Sequence, residues 1–278
     1  MEARPRLRRT AMVLGGLFLF DLGSRGETIA DVPTCIIDHH HPDGVPPNAK
    51  LISAYGWSPI PNTSLLTFDL CRSLTNIDDL DWIAAIGAIS DLGERAPFAV
   101  VAEAKKRYTA KALKEVTTLV NAARRASAFD PEAAVRLLMN HDSPSAILQS
   151  DSDDLRAVQA ARAEVNEEMA KGKTSAPKFA GNVALIRVHS PCQIHPLIAQ
   201  IWRSRLPSKY VVIVANDGYL PGRVNFSARS EGETNALQLL RSVELPAGEG
   251  DYAHGHDHAT GGSLPEDRWN ALLKALGF

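Results

Sequence analysis

The sequence has few cysteines. Three occur among 278 residues, Cys35, Cys71 and Cys192, and they are widely spaced with no CxxC pair. An odd number of scattered thiols disfavours both a disulfide framework and a thiolate zinc site. A reducing cytoplasm is therefore the expected location.

An excess of charge of either sign is also missing. Lys and Arg together number 30 against 32 Asp and Glu, so no global basic field predicts a nucleic-acid or membrane partner. Any such partner must be bound locally. With 45% hydrophobic and 22% charged residues, the composition is that of an ordinary soluble globular protein and excludes disordered, collagen-like and coiled-coil chains. The length fits about two domains.

The N-terminal apolar run is too short to cross a bilayer. It extends from Ala11 to Phe20, ten residues, and follows a basic stretch from Arg4 to Arg9. This is the layout of a secretory signal, even a twin-arginine one. The alternative is a buried parallel strand that ends at Asp21, where a functional loop would begin. The residues after Asp21 favour the strand, and no membrane partner is expected.

Further along the chain, a second predicted strand, Thr34 to Ile37, also ends in polar groups, the run Asp38-His39-His40-His41. Asn62-Thr63-Ser64 is typical of a helix start. The apolar segment Asp81 to Ile89 then leads into Asp91. Residues 99–170 predict several helices, and the segment from Lys171 to Gly181 has the glycines and proline of a linker.

The pattern changes after this linker. Two β-rich runs flank an amphipathic stretch, and an alternating segment follows them; these are Val183 to Val188, Ile194 to Leu206, Tyr210 to Ala215 and Arg223 to Ser230. Such an order predicts a second, smaller α/β domain from about residue 182 to residue 278.

Polar residues capable of metal chemistry follow the predicted apolar segments. These are Asp21, Asp38, His39, His40 and Asp91. In an open parallel sheet the carboxyl ends of the strands meet at one crevice, and carboxylates and imidazoles gathered there are commonly compensated by a divalent cation. Mixed Asp and His ligation suits manganese, zinc or iron better than calcium. The alternative is a capped, solvated loop.

The spacing of these motifs resembles that of the DHH family of phosphoesterases. Asp-Leu-Gly at Asp21 is followed about seventeen residues later by Asp38-His39-His40, and Ile-Gly-x-Ile-x-Asp ends about fifty residues further on at Asp91. The runs Phe226 to Ser230 and Gly255 to Gly262 look like the serine-x-arginine strand and the glycine-rich loop of the DHH-associated domain. Leu119 to Arg125 resembles the helical linker of the RecJ-type branch. The resemblance covers the chain from about residue 12.

The resemblance implies roles for the residues of the first region. Asp21 would bridge two metal ions, manganese or magnesium, and His39 and Asp91 would complete the ligands of the second ion. His40 would face the scissile phosphate, and Asp38 would orient an imidazole. The implied chemistry is two-metal hydrolysis of a phosphoester.

In the second region, the resemblance implies a grip on the nucleic-acid backbone. Arg229 would bind a phosphate through its bidentate fork. The implied nucleic-acid-binding residues are Ser227, Arg229, Gly255, His256, Gly261 and Gly262.

Two departures from the family pattern bear on these roles. The first motif, a His and an Asp-x-Asp, belongs upstream of Asp21, yet residues 1–20 contain neither Asp nor His. We expect a truncated reading of a longer protein, because a decayed enzyme would lose Asp21 and Asp91 as readily; a degenerate binding protein is the alternative. In the glycine loop, Ala253 and His254 stand where the pattern has glycines.

The predicted organisation is therefore an α/β protein in three parts: an N-terminally incomplete, parallel-sheet DHH domain at 1–98, a helical connector at 99–181, and a DHH-associated domain at 182–278. The predicted activity is RecJ-like exonucleolytic hydrolysis of single-stranded DNA or RNA, or of short oligonucleotides. The alternatives are a non-catalytic strand-binding or partner-binding protein and a small-nucleotide phosphatase. Core packing is expected for the four tryptophans, although Trp57, in a loop near the crevice, could stack a base.

Overall fold

The structure is a computed structural model that describes residues 15–278. The chain divides into two compact units, one reaching Lys114 and the other running from Glu115 to Phe278. Both are mixtures of helix and strand, which confirms the predicted α/β class. The basic stretch Arg4 to Arg9 and the first residues of the apolar run lie outside the described residues, so the signal-peptide alternative is untested, and the three-part division stays a prediction.

The first unit contains a three-stranded parallel sheet in the order β1-β2-β3. The strands are β1 (Leu17–Phe20), β2 (Thr34–Asp38) and β3 (Ala49–Ser53). The first two confirm the predicted strands in position and parallel pairing, but β1 is not buried as predicted, since Phe18 is 65% and Phe20 44% exposed. Because parallel strands end at the same edge of a sheet, the segments that follow Phe20, Asp38 and Ser53 all leave from one rim.

Helices follow the sheet in this unit. They are α1 (Thr63–Arg72), a short 3-10 turn (Asp78–Leu80), α2 (Asp81–Leu92) and α3 (Ala99–Tyr108). The predicted start of α1 is confirmed, since the Asn62 side chain accepts a hydrogen bond from the backbone N–H of Leu65 at 3.2 Å. Leu66 of α1 packs with Ile37 and Ala54 of the sheet region.

Helix α2 approaches α1 closely because residue 87 is glycine. A Cβ atom at Gly87 would lie 2.4 Å from both Cβ and Oγ of Ser64 on α1. Such a contact is far inside van der Waals separation, so only glycine permits this spacing. The apolar segment preceding Asp91 is thus a helix, and its last turn carries Asp91.

The second unit is built on a six-stranded mixed sheet in the order β4-β5-β6-β7-β9-β8. Only β5 and β6 pair in parallel. The strands are β4 (Lys178–Ala180), β5 (Val183–Val188), β6 (Val211–Leu220), β7 (Arg223–Arg229), β8 (Asp251–His256) and β9 (Ala259–Pro265). The three predicted strands are confirmed, β6 continuing to Leu220.

Helices cover both faces of this sheet. The helices after α3 are α4 (Ala110–Arg125), α5 (Pro131–Met139), α6 (Pro144–Gln149), α7 (Asp153–Gly172), α8 (His195–Arg203), α9 (Ala236–Arg241) and α10 (Glu266–Leu276). Alternate residues of β5 and β6 enter two separate apolar cores, one with α9 and α10 and one with α7 and α8. The helix-rich character predicted for 99–170 is confirmed.

The predicted linker from Lys171 to Gly181 is largely structured. Helix α7 continues through Gly172, and Lys178–Ala180 forms β4. Gly172 is not a helix breaker here: a Cβ atom at this position would lie 2.4 Å from Ile198 Cδ1, so glycine lets α7 pack onto α8. No helix among residues 15–278 has the length and apolar character needed to cross a bilayer.

We predict that Gly87→Ala destabilises the first unit by about 1–3 kcal/mol, because the added methyl group forces α2 away from α1. Urea unfolding followed by circular dichroism measures this loss. Gly26→Ala is the matched control, since a Cβ atom at Gly26 has nothing within 4 Å. Equal stability of the two variants would contradict the close-packing role of Gly87.

Candidate active site

The carboxylate of Asp38 is the centre of the hydrogen bonding at the sheet rim. Its Oδ1 accepts the backbone N–H groups of His39 and His40 and Nδ1–H of the His40 ring, each at 2.7 Å. Its Oδ2 accepts the backbone N–H of Gly23, also at 2.7 Å. Asp38 is only 1% exposed. A buried carboxylate is stable in its charged form only when hydrogen-bond donors surround it. The bond from Gly23 also connects the end of β2 to the loop that follows β1.

These contacts shift the protonation of both partners. Burial alone raises the pKa of Asp38, but the hydrogen bonds from the ring and backbone of His40 and from Gly23 outweigh it and hold the pKa well below its usual range. Burial alone lowers the pKa of His40, but the hydrogen bond to Asp38 and the charges of Asp38, Asp21 and Asp91 raise it overall. His40 therefore favours the imidazolium form more than an ordinary histidine does.

Two carboxylates converge on the other imidazole. Nε2 of His39 lies 3.3 Å from Oδ1 of Asp21 and 3.6 Å from Oδ2 of Asp91. His39 is buried, while about half of each carboxylate side chain is exposed. Asp21 directly follows β1 and has a left-handed backbone with φ 61°, a conformation that aspartate tolerates better than most residues. The three groups therefore form an open cluster at the rim.

Thr63 also holds this cluster together. Its hydroxyl donates a 2.6 Å hydrogen bond to Oδ1 of Asp21. Burial raises the pKa of Asp21, but hydrogen bonds from His39 and Thr63 outweigh it, and the net pKa is lowered. Thr63 was predicted only as part of a helix start, and no motif in the sequence indicates its contact with Asp21.

Asp21, His39 and Asp91 are residue types that ligate cations, and two of their separations match those between donors of one ion. Donors that share one ion at about 2.1 Å lie about 3.0–3.5 Å apart, close to the two separations at His39 Nε2. Donor atoms of Asp21, Asp38 and His40 also lie within 4.8 Å of one another. The Asp38 oxygens already accept four N–H groups, however, so Asp38 is better suited to orienting His40 than to ligating metal.

In the second unit, the predicted binding residues lie on three adjacent strands, β7, β9 and β8. Ser227 is 7% exposed and lies opposite Gly261 in the sheet register. Arg229, at the end of β7, donates from Nη1 to the carbonyls of Ala228 at 2.9 Å and Thr260 at 3.3 Å.

Backbone geometry alone explains why two positions of this loop are occupied by glycine. A Cβ atom at Gly261 would lie 2.3 Å from the Phe226 carbonyl, and Gly255 has φ +123°, which disfavours other residues. Gly262 lies opposite Phe226 and Tyr252 in the register, and the half-buried His256 ends β8. The backbone therefore accounts for Gly255 and Gly261 whether or not a phosphate is bound.

Ala253 explains one departure from the glycine pattern. It has φ 55°, at the register shift between Tyr252 and His254. The position thus keeps the left-handed backbone that suits glycine, although an alanine occupies it.

Two further basic residues accompany Arg229. Burial, then the charge of Arg124, lowers the pKa of Arg125 to about 10, and the buried Arg125 Nε has no hydrogen-bond partner among residues 15–278. Burial, then the charges of Arg229 and Arg125, lowers the pKa of His195 to about 3. His195 opens helix α8, whose N-terminus has no side-chain cap. Positive charges and a helix N-terminus together favour an anion.

Solved structures show a related fold. No family model matches the sequence, and neither does any curated protein. A DHH-domain protein described as a member of the S1p family of ribosomal proteins matches with TM-score 0.58 and 15% identity over 88% of this chain. The match spans 63% of that protein, so this chain covers less than two thirds of its length. The likeness establishes that the chain has the fold of a DHH-domain protein.

Two other solved structures match the fold of this chain less well. A pGpG-specific phosphodiesterase from Vibrio cholerae has TM-score 0.44 and 13% identity, over 87% of this chain and 82% of that one. CDC45 from Entamoeba histolytica has TM-score 0.41 and 10% identity, over 95% and 85%. The fold assignment rests on the first match. The RecJ-like branch and the individual residue roles stay predictions.

We predict that Asp38→Asn costs about 3 kcal/mol of folding free energy at neutral pH, since the amide places an N–H group against donors. The native pKa of Asp38 is depressed, so its contribution is full above the unfolded pKa of about 3.9 and is lost as the pH falls below it. The stability difference from wild type should shrink below about pH 4. Urea titrations across this range measure it.

Asp31→Asn is the matched control, because Asp31 is an exposed carboxylate in the same unit. It removes the same charge and should leave stability nearly unchanged at each pH. A loss of folding free energy in Asp38→Asn that is small, or equal at every pH, would contradict the stabilising role of the hydrogen bonds to Asp38.

Proposed function

We propose that the chain is a metal-dependent phosphodiesterase of the RecJ-like kind, acting on single-stranded nucleic acid or short oligonucleotides. The observation that carries this proposal is the convergence of the Asp21 and Asp91 carboxylates on Nε2 of His39. Half-exposed carboxylates beside a buried imidazole at the carboxyl edge of a parallel sheet are suited to a catalytic cation.

Asp21, His39 and Asp91 would hold a manganese or magnesium ion. When bound, such an ion supplies charge that polarises a phosphoryl oxygen and offsets the charge on the leaving oxygen. The lowered pKa of Asp21 keeps this carboxylate ionised for that task. The hydroxyl of Thr63 fixes its orientation from α1.

His40 would bind the scissile phosphate. Asp38 accepts the Nδ1–H of the ring, so Nε2–H would be the donor to a phosphate oxygen. The raised pKa of His40 favours the imidazolium, whose charge-assisted hydrogen bond is stronger than that of a neutral ring.

The second unit would grip the strand through backbone phosphates. Arg229 and Arg125 both bear electrostatically on His195, which places their charges near the start of α8. Desolvated guanidinium groups bind phosphate more strongly than solvated ones, and the partial positive charge of the α8 N-terminus would add to their attraction for an anion. This grip would be independent of base identity.

We predict Mn²⁺-dependent cleavage of a single-stranded oligonucleotide or short RNA, with kcat/KM at least about 100-fold lower in Asp91→Ala, because the cation loses a ligand. Chelation should abolish turnover. The control Asp69→Asn alters an exposed carboxylate of α1 and should leave kcat/KM unchanged. Unchanged turnover in Asp91→Ala would defeat the proposal.

Parallel assays on oligonucleotides and mononucleotides separate this activity from that of a small-nucleotide phosphatase. A phosphatase would turn over mononucleotides faster. Strand binding without cleavage at any Mn²⁺ concentration would instead assign a non-catalytic strand-binding role.

For the second unit, we predict that Arg229→Ala and Arg125→Ala each weaken single-strand binding across all sequences. Each should reduce the slope of log K against log salt by about one, since one phosphate contact is lost. Fluorescence anisotropy between 50 and 200 mM salt, roughly the range over which such slopes are resolved, measures both effects. Arg205→Ala, at an exposed arginine of the same unit, is the control. Wild-type slopes in both test variants would exclude these arginines from the interface.

A further inference from the structure

The loop between β3 and α1 begins and ends on residues of the candidate site. At its start, the backbone N–H of Ala54 donates to the carbonyl of Asp38 at 3.1 Å. At its end, the hydroxyl of Thr63 donates to Asp21 at 2.6 Å. The intervening residues, 55–61, are therefore held at the same rim of the sheet as Asp21 and Asp38.

Two large aromatic side chains of this loop face solvent. Tyr55 is 40% exposed and Trp57 is 56% exposed. The N–H of Trp57 donates to the carbonyl of Ala54 at 3.1 Å, a turn that keeps the two Cα atoms within about 7 Å. The ring of His41 packs edge-on against Tyr55 with centroids 5.0 Å apart, which links the loop to the Asp-His-His segment.

The exposure of Trp57 is not explained by core packing. Trp82 is fully buried and Trp269 is 4% exposed, as predicted for core residues, but the core-packing prediction is wrong for Trp57. Residues 55–61, Tyr-Gly-Trp-Ser-Pro-Ile-Pro, contain no charged side chain. An uncharged aromatic surface beside a phosphate site suits the flat face of a nucleobase.

We propose that Tyr55 and Trp57 stack the nucleobase of the nucleotide whose phosphate binds at His40 and at the cation that Asp21, His39 and Asp91 would hold. This inference rests on the proposed function and assigns recognition of the base to two named side chains. The substrates are phosphoesters that carry a base, and inorganic polyphosphates and base-free phosphodiesters bind much more weakly. Trp57 and Tyr55 are specificity residues in this scheme, and the rim cluster remains responsible for the phosphate.

The test compares two ligands that share a phosphate and a sugar. Adenosine 5′-monophosphate and ribose 5-phosphate are titrated into the full chain with Mn²⁺, by calorimetry and by tryptophan fluorescence. Adenosine 5′-monophosphate should bind about tenfold more tightly and quench fluorescence. Trp57→Ala should remove most of that preference while leaving ribose 5-phosphate affinity unchanged, and Trp57→Phe should keep the preference but lose the quenching.

Equal binding of the two ligands to wild type, or an equal weakening of both in Trp57→Ala, would overturn the stacking role. Because Trp57 lies on an exposed turn, an unchanged circular dichroism spectrum is expected for its variants. The readout is binding, so it separates the two proposals. An intact base preference without hydrolysis overturns only the phosphodiesterase, whereas oligonucleotide hydrolysis with the same KM in wild type and Trp57→Ala overturns only the stacking surface.

Discussion

The buried carboxylate of Asp38 is the constraint on which the rim of the first unit depends. Four N–H groups satisfy its charge, two of them from the backbone of the residues that follow β2. Those bonds fix the main chain at His39 and His40, whose rings pack against each other with centroids 4.5 Å apart. One ring meets the carboxylates of Asp21 and Asp91, and the other is held by Asp38 itself. The geometry is set before any ligand arrives.

The remaining groups reach the rim from separate elements. Asp21 arrives from β1 in a left-handed conformation, Asp91 from the last turn of α2, and Thr63 from the first turn of α1. The glycine at position 87 keeps the two helices close enough for this arrangement. The loop that carries Tyr55 and Trp57 is anchored to Asp38 at its start and to Asp21 at its end. Phosphate binding and base stacking would therefore share one scaffold.

The elements of the fold that depend on short sequence patterns were predictable from the sequence. The alternation and apolar runs placed β2, β5 and β7, and the Asn62 cap placed the start of α1. The helical nature of the segment before Asp91 was not apparent, because a short apolar run fits a buried strand and a buried helix equally well. The extent of α7 was missed because Gly172 serves packing against Ile198, a contact remote in sequence. Thr63, Arg125 and His195 were missed for the same reason, since their roles arise only from tertiary contacts.

The most direct test of a shared cation at the rim is anomalous diffraction at the manganese edge from crystals of the full chain grown with Mn²⁺. An anomalous peak is expected in contact with Nε2 of His39 and with carboxylate oxygens of Asp21 and Asp91. The absence of a peak there at millimolar Mn²⁺, or three side chains turned away from one another, would contradict the metal centre.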